Sequence, residues 1–317
     1  MGDGSTLPAV AMFPASDHVA EQLAALRALA PRLEIATEPA ACDPHRTEAI
    51  LCFGLAAGLA ARLPRLRLVA SVGAGVSNIL ASGELVPHVA VTRVVDPAQA
   101  GGVAQYVVGQ LLRHFREFER YRDQQREGLW QRWPARDAAG CQVGLLGLGH
   151  IARPVAGALH QLGLPVIGWS RSGRAFPELA GVFAGPVQLD EFLSACDCLL
   201  CLLPGTRQTR GLLGVSQLRR LRPGAFLINV SRGGIVDETA LVALLDEGHL
   251  GGAALDVFAE EPLPLDSPLW RHEKIMLTPH IAANPSVAVT VHQFLDNLCR
   301  LRDGAPLLHT IDRQAEY

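Results

Sequence analysis

No stretch of the sequence is long and apolar enough to span a bilayer. The longest apolar run, residues 49–61, is too short and is broken by two glycines. The opening MGDGSTLPAV carries neither a basic n-region nor an apolar h-region, so no secretory signal is expected. Charge of one sign is not in excess either. Lys and Arg number 28 against 31 Asp and Glu, a formal net charge of −3, which gives no electrostatic ground for a nucleic-acid partner. Low-complexity segments are missing, as are internal repeats beyond an alternating strand–helix rhythm. The seven cysteines fall at irregular spacing, which in a chain of this size implies free thiols in a reducing, cytoplasmic compartment. Cys196, Cys198 and Cys201 have no matching second pair, and residues 198–203 read as a buried strand. No metal site is therefore expected.

What is present centres on residues 143–172, VGLLGLGHIARPVAGALHQLGLPVIGWSRS. A short apolar run, a glycine turn, a helical segment and a second apolar run make the first βαβ unit of a dinucleotide-binding sheet. Gly147 lets the chain turn tightly, and Gly149 lets the backbone approach a pyrophosphate. The helix that begins near His150 and Ile151 turns N–H groups and a positive dipole end toward the phosphates. Ala152 stands where a third glycine is often found, and a small residue suffices there for helix–strand packing.

The 317 residues favour two domains over one. Residues 1–96 alternate strands at 10–13, 50–53 and 68–72 with helical segments such as 17–29. Residues 72–76, VGAGV, form another glycine turn with two readings open: a loop needing positive φ, or a turn whose backbone meets a ligand. Residues 100–127 read as one long helix, apolar inward at Val103, Val107, Leu111, Phe115 and Phe118, connecting two α/β halves. Residues 128–139, with Trp130, Trp133 and Pro134, read as irregular. Further strands are expected at 196–203, 226–231, 252–258 and 275–278. Asp237 caps a helix running through Leu245, and residues 286–302 form a final amphipathic helix.

In an open parallel sheet, ligands bind beyond the carboxyl ends of the strands. There the second half of the chain places Gly147-Leu148-Gly149, Ser231-Arg232-Gly233-Gly234, Asp256 with Glu260-Glu261-Pro262, and Thr278-Pro279-His280. Singly, Arg232 reads as a surface cation, Glu261 as a helix-end charge and His280 as a capped core histidine. Jointly they point to a site. An imidazole paired with a carboxylate has its pKa raised, which makes a general acid for a carbonyl oxygen. A guanidinium binds a carboxylate bidentately and polarises a neighbouring carbonyl. Beside a nicotinamide, this set reduces a 2-oxo acid to a 2-hydroxy acid. The end of the second strand chooses the cofactor. NAD sites usually carry Asp or Glu there; this chain has Ser170, Arg171, Ser172 and Arg174, which suit a 2′-phosphate and favour NADP(H) over NAD(H).

In order, GLGHIA, WSRS, LPGTRQT, INVSRGGIVDE, ALDVFAEEPLP, SPLW and TPHIAA resemble the D-2-hydroxyacid dehydrogenase family, in particular its glyoxylate/hydroxypyruvate reductase A-like branch. The resemblance runs from Val72 through Arg313. It implies an α/β fold of two doubly wound parallel-sheet domains, a Rossmann cofactor domain (97–285) inserted in a flavodoxin-like substrate domain (1–96 plus 286–317), with the active site in the cleft. It implies Arg232 as the substrate-orienting arginine, Glu261 as the carboxylate paired with the histidine, and His280 as the acid/base. Asp256 would contact the nicotinamide carboxamide, and Leu203 and Pro204 of LPGTRQT would join the cofactor site. Gly73, Ala74 and Gly75 would offer N–H groups to the substrate carboxylate. Homodimers are implied, with the arm around residues 100–140 at the interface. From that arm Trp130 or Trp133 either reaches the partner's active site or packs the interface.

Three positions depart from the family pattern: Ala152 for a third glycine, Gln105-Tyr106 where many members have Glu, and Asn284-Pro285 where a hydroxyl or branched residue is more frequent. The last bears on pocket shape. The expected activity is NADPH-dependent reduction of small 2-oxo acids such as glyoxylate and hydroxypyruvate. Alternatives are a dehydrogenase for a larger acid such as phenylpyruvate, and a non-catalytic dinucleotide-sensing partner protein of the C-terminal-binding-protein type. Glu261 argues against the formate dehydrogenase branch, which has Gln there. No regulatory domain of the kind phosphoglycerate dehydrogenases often add is expected.

Overall fold

The computed structural model describes residues 9–13, 17–81, 85–134, 138–283, 285–314 and 316. Asn284 and most of the opening segment read above lie outside the described residues. The chain divides into two compact units, Met1–Pro97 with Asn284–Tyr317, and Ala98–Ala283.

In the first unit, β1 (Ala9–Met12), β2 (Ile35–Ala36), β3 (Thr47–Cys52), β4 (Leu68–Ser71) and β5 (Ala90–Thr92) form one sheet in the order β2-β1-β3-β4-β5. Every strand pairing in it is parallel, and the order is that of flavodoxin-like sheets. A parallel sheet must be covered on both faces, which is why its strands read as unbroken apolar runs. One face packs α1 (Asp17–Leu29) and the C-terminal helix Val287–Asp303, through Leu23, Leu26, Phe294 and Leu298. The other face buries Leu59, Ile79 of the short α2 (Ser77–Leu80), and Val91. Ser286 caps the C-terminal helix by accepting the Val289 N–H at 3.1 Å.

The second unit opens with α3 (Pro97–Phe115) and α4 (Phe118–Glu127). A single helix over 100–127 is therefore not what forms. The chain breaks at Glu117, which takes a left-handed φ of 51° and interrupts the i→i−4 ladder. Phe118, expected inward, is 54 % exposed, because the break turns α4 off the phase of α3. No glycine or proline at 116–117 announces this.

Its sheet comprises β6 (Val143–Leu146), β7 (Val166–Ser170), β8 (Gly181–Ala184), β9 (Cys198–Cys201), β10 (Ala225–Asn229), β11 (Leu250–Leu255) and β12 (Ile275–Leu277). The order β12-β11-β10-β9-β6-β7-β8 is parallel throughout and doubly wound, reversing direction between β6 and β9. α3 and α5 (Ala152–Gln161) cover one face through Val107, Leu111, Val155 and Leu159. α6 (Leu189–Ser194), α7 (Val215–Leu218) and α8 (Glu238–Asp246) cover the other. Asp237 caps α8 as read from the sequence, accepting the Ala240 N–H at 3.0 Å. Among the described residues no helix is long and apolar enough to cross a membrane.

Phe192 is the largest fully buried side chain of the second face and is tilted against Phe183. Phe192→Ala removes the ring and leaves a cavity, a loss of about 3–5 kcal/mol. For a unit of this size the thermal midpoint should fall by roughly 6–20 °C. A midpoint within 2 °C of the parent, by differential scanning fluorimetry, would contradict this packing.

Candidate active site

The site begins where β6 meets α5. Gly147 has φ +110°, and a Cβ there would lie 3.0 Å from the backbone of Leu202 and Leu203, so only glycine fits this crossing of the β6 and β9 ends. Gly149 faces open space, with nothing within 4 Å of a Cβ position. Ala152 is completely buried, which is why a small residue serves where a third glycine is common. His150 and Ile151 lead into the helix, so its first N–H groups face the same open edge. These features fit the pyrophosphate of a dinucleotide.

At the end of β7, the Ser170 Oγ accepts the Arg174 N–H at 3.1 Å. The Arg171 guanidinium donates to Gln208 Oε1 at 2.6 Å, joining this loop to the segment after Leu203-Pro204. Arg171, Ser172 and Arg174 are all exposed, and residues 170–174 contain no carboxylate. The Trp169 indole is turned inward and donates to the Gly185 carbonyl at 2.9 Å.

Beyond β10, Asn229 shapes the arginine turn. Its Oδ1 accepts the Ser231 N–H and hydroxyl at 3.2 and 2.9 Å, and its amide donates to the Arg232 carbonyl at 3.1 Å. The guanidinium donates back to the Ser231 carbonyl. Burial pushes the Arg232 pKa down, and the Glu261 charge opposes that fall. Gly233 explains why arginine and glutamate meet: a Cβ there would fall 1.8 Å from the Phe258 carbonyl carbon. The missing side chain lets the arginine turn lie directly on the segment leading to Glu261. That segment is held by two carboxylates, as Phe258 N–H donates to Glu261 Oε1 at 3.0 Å and Ala259 N–H to Glu238 Oε1 at 2.7 Å. Burial holds the Glu238 carboxyl above its ordinary value, against the pull of the Ala259 hydrogen bond.

Asp256 ends β11 and is 1 % exposed. Its Oδ1 accepts the Thr278 hydroxyl at 2.6 Å and the Ile281 N–H at 2.8 Å, and its Oδ2 accepts the Ala282 N–H at 2.8 Å. Its carbonyl accepts the His280 N–H at 2.9 Å. An oxygen such as Oδ2, with one donor, retains acceptor capacity for an amide, which fits a nicotinamide carboxamide. His280 is held in the left-handed region at φ 57°, a conformation that a non-glycine keeps only where its neighbours over-determine it. Its Nδ1 lies 2.7 Å from Glu261 Oε2. For Glu261, burial alone would raise the pKa. The hydrogen bonds from His280 and Phe258, with the charges of His280 and Arg232, outweigh it and hold the carboxyl below the usual carboxylate range.

The second unit thus gathers the glycine loop, Arg232, Asp256, Glu261 and His280. Trp130 is not part of that group: at 93 % exposed it packs on none of these side chains within its own chain. Trp133 lies under the Arg120 guanidinium, 3.2 Å from the ring centroid. In the first unit, the 72–76 turn is shaped by Ser71, whose Oγ accepts the Gly73 N–H at 3.1 Å and donates to the Gly75 carbonyl at 2.7 Å. Neither Gly73 nor Gly75 has positive φ, so backbone handedness does not explain the glycines. The Gly73 N–H already serves Ser71, and Ala74 and Gly75 supply the other two amides of the turn. Glu238, Asn229 and Gln208 were not singled out from the sequence, and Thr278 was named at its strand end without a role. Each acts on a neighbour distant in sequence or through a turn, and only their positions within the INVSRGGIVDE, LPGTRQT and TPHIAA strings hinted at them.

The family description "D-isomer specific 2-hydroxyacid dehydrogenase, NAD binding domain" matches residues 108–282. A D-isomer specific 2-hydroxyacid dehydrogenase from Xanthobacter autotrophicus Py2, solved with NADPH and MES, is 37% identical. It has a TM-score of 0.86, over 98% of this chain and 99% of that one. A family protein from Klebsiella pneumoniae 342 is 34% identical with a TM-score of 0.89, over 99% and 100%. An NADPH-dependent glyoxylate/hydroxypyruvate reductase from Sinorhizobium meliloti, solved with NADP and sulfate, is 32% identical with a TM-score of 0.88, over 98% and 99%.

The depressed Glu261 pKa carries a sign. Stability from a carboxylate whose pKa is lowered on folding is fully present above the unfolded value of about 4.3 and is lost as the pH falls through the folded value. The melting-point advantage of the parent over Glu261→Gln should therefore shrink as the pH falls below about 4.3. An advantage that stayed constant or grew as the pH fell from about 5 to about 3 would mean the carboxyl is not held down.

Proposed function

The chain belongs to the D-isomer specific 2-hydroxyacid dehydrogenases and is an NAD(P)-dependent oxidoreductase. On that premise we propose that it reduces small 2-oxo acids, glyoxylate and hydroxypyruvate first, to D-2-hydroxy acids with NADPH. The observation that carries the reading is the 2.7 Å contact between His280 Nδ1 and Glu261 Oε2, within reach of the Arg232 charge. The Gly147–Ile151 turn would hold a reduced nicotinamide cofactor, whose chemistry there would be hydride donation to the carbonyl carbon. His280 delivers the proton to the carbonyl oxygen from Nε2, because Nδ1 is turned to Glu261. Glu261 fixes the ring and balances the imidazolium charge before transfer. Arg232 takes the substrate carboxylate and draws electron density from the adjacent carbonyl. In the first unit, the Ala74 and Gly75 N–H groups of the 72–76 turn are donors of the kind a carboxylate accepts, the role the family resemblance implies for this turn.

NADPH preference is supported by Ser170, Arg171 and Arg174 without a carboxylate, and by the NADPH and NADP in two of the similar structures. The small-acid reading draws support from the Sinorhizobium meliloti reductase. A homodimer is supported by the exposed Phe118, Leu129 and Trp130, clustered on α4 and the segment after it. A reducing, cytoplasmic setting fits seven cysteines that are all free thiols.

The test is kcat/KM for glyoxylate, hydroxypyruvate, pyruvate and phenylpyruvate, each with NADPH and NADH. The first two with NADPH should lead. A lead by phenylpyruvate would move the substrate to a larger acid, and NADPH binding without turnover of any acid would favour a sensor. Ser170→Asp should swing the NADPH-to-NADH ratio at least about tenfold toward NADH, the cost of placing a carboxylate beside a 2′-phosphate. An unchanged ratio would remove this loop from the cofactor site.

A further inference from the structure

Thr278 stands between two partners: its hydroxyl donates to Asp256 Oδ1 at 2.6 Å, and Tyr106 Oη, from the middle of α3, lies 2.6 Å from the same Thr278 Oγ1. The direction of the chain follows from chemistry. Both Asp256 oxygens face backbone N–H groups, which only donate, so the carboxylate is the acceptor. The single Thr278 proton is thus engaged with Asp256. The proton between Tyr106 and Thr278 must come from the phenol. Successive O–H···O–H···O⁻ bonds polarise and strengthen one another, most of all around a carboxylate as buried as Asp256. Tyr106 is itself partly buried, and burial raises its phenol above the ordinary value, so it remains a donor wherever the site works.

We propose that Tyr106 is a positioning residue for His280: through Thr278 it braces the Asp256 carboxylate, which holds the Thr278 side chain before the strained histidine and the Ile281 and Ala282 backbone after it. The mechanical route is short. Thr278 is two residues before His280, and its carbonyl also accepts the His280 N–H at 3.0 Å. Ile281 and Ala282 follow directly and hang from the same carboxylate. A left-handed φ at a non-glycine relaxes when its ties loosen. Loss of the phenol hydroxyl would leave the fold standing and let the imidazole drift from the geometry that proton delivery needs. The sequence alone marked Gln105-Tyr106 only as a departure from the family pattern. The hydrogen bonds instead direct Tyr106 to the catalytic loop of its own unit.

This inference rests on His280 acting as the acid in the function proposed above. The experiment compares the full-length parent with Tyr106→Phe, Thr278→Val, Thr278→Ser and the double variant Tyr106→Phe/Thr278→Val, in saturating NADPH with glyoxylate. Tyr106→Phe should lower kcat about five- to tenfold, with KM for NADPH unchanged and the melting midpoint lowered by only about 2–4 °C. Thr278→Val should lose at least as much, and the double variant no more than Thr278→Val alone, because one chain is cut twice. Thr278→Ser, which keeps the hydroxyl, should restore the rate. A Tyr106→Phe enzyme with parental kcat, or losses that multiply in the double variant, would overturn the proposal. A parent that turns over no 2-oxo acid would instead overturn the reductase reading, so the two failures are told apart.

Discussion

The Asp256 carboxylate is buried at the end of β11, and both of its oxygens are committed to the chain that carries His280. A charge in that position is tolerable only where donors replace lost water. Here the replacement is one hydroxyl and two backbone N–H groups. The arrangement works in both directions. The donors keep an otherwise costly carboxylate in place, and the carboxylate holds Ile281 and Ala282 so tightly that His280 remains in a left-handed conformation. Without that constraint the imidazole would have no fixed relation to Glu261.

The remainder of the site is arranged by close approach rather than by many polar contacts. Gly233 brings the arginine turn onto the Phe258 backbone, and Gly147 brings the phosphate-facing turn onto the end of β9. Each contact exists because a side chain is missing, and each places a charged or donor-rich loop at the carboxyl edge of one sheet. The electrostatics follow from this geometry. Arg232 loses hydration and gains Glu261; Glu261 loses hydration and gains His280, Arg232 and a backbone donor. Parallel strands that end together at a switch point make such convergence cheap, since every loop leaves the sheet from the same edge.

Much of this was legible in the sequence because the strands are buried on both faces and therefore stand out as apolar runs between glycines. The order of glycine loop, arginine, carboxylate and histidine after successive strands could be read for the same reason. Strand ends were read too long, as at 196–203 against Cys198–Cys201, because apolar residues continue past the last ladder hydrogen bond. The edge strand β8 went unread, being short and only half-buried. The break at Glu117 was hidden, since a charged residue gives no sign of a left-handed turn. Within the site, the charged residues were visible but their supports were not. That Thr278 serves Asp256, that Asn229 shapes the turn before Gly233, and that Gln208 meets Arg171 all depend on which backbones approach in three dimensions.

The claim on which the rest depends is that the Asp256 carboxylate clamps the histidine loop, and native-state amide hydrogen exchange measures this most directly. Ile281 is a half-exposed loop residue whose N–H would exchange rapidly if it faced water. Bonded to a buried carboxylate, the Ile281 and Ala282 amides should exchange at least about a thousandfold more slowly than unstructured chain, alongside the ends of β11. Exchange of both at the rate of an open loop would show that Asp256 does not hold this segment, and the account of how His280 is positioned would fail.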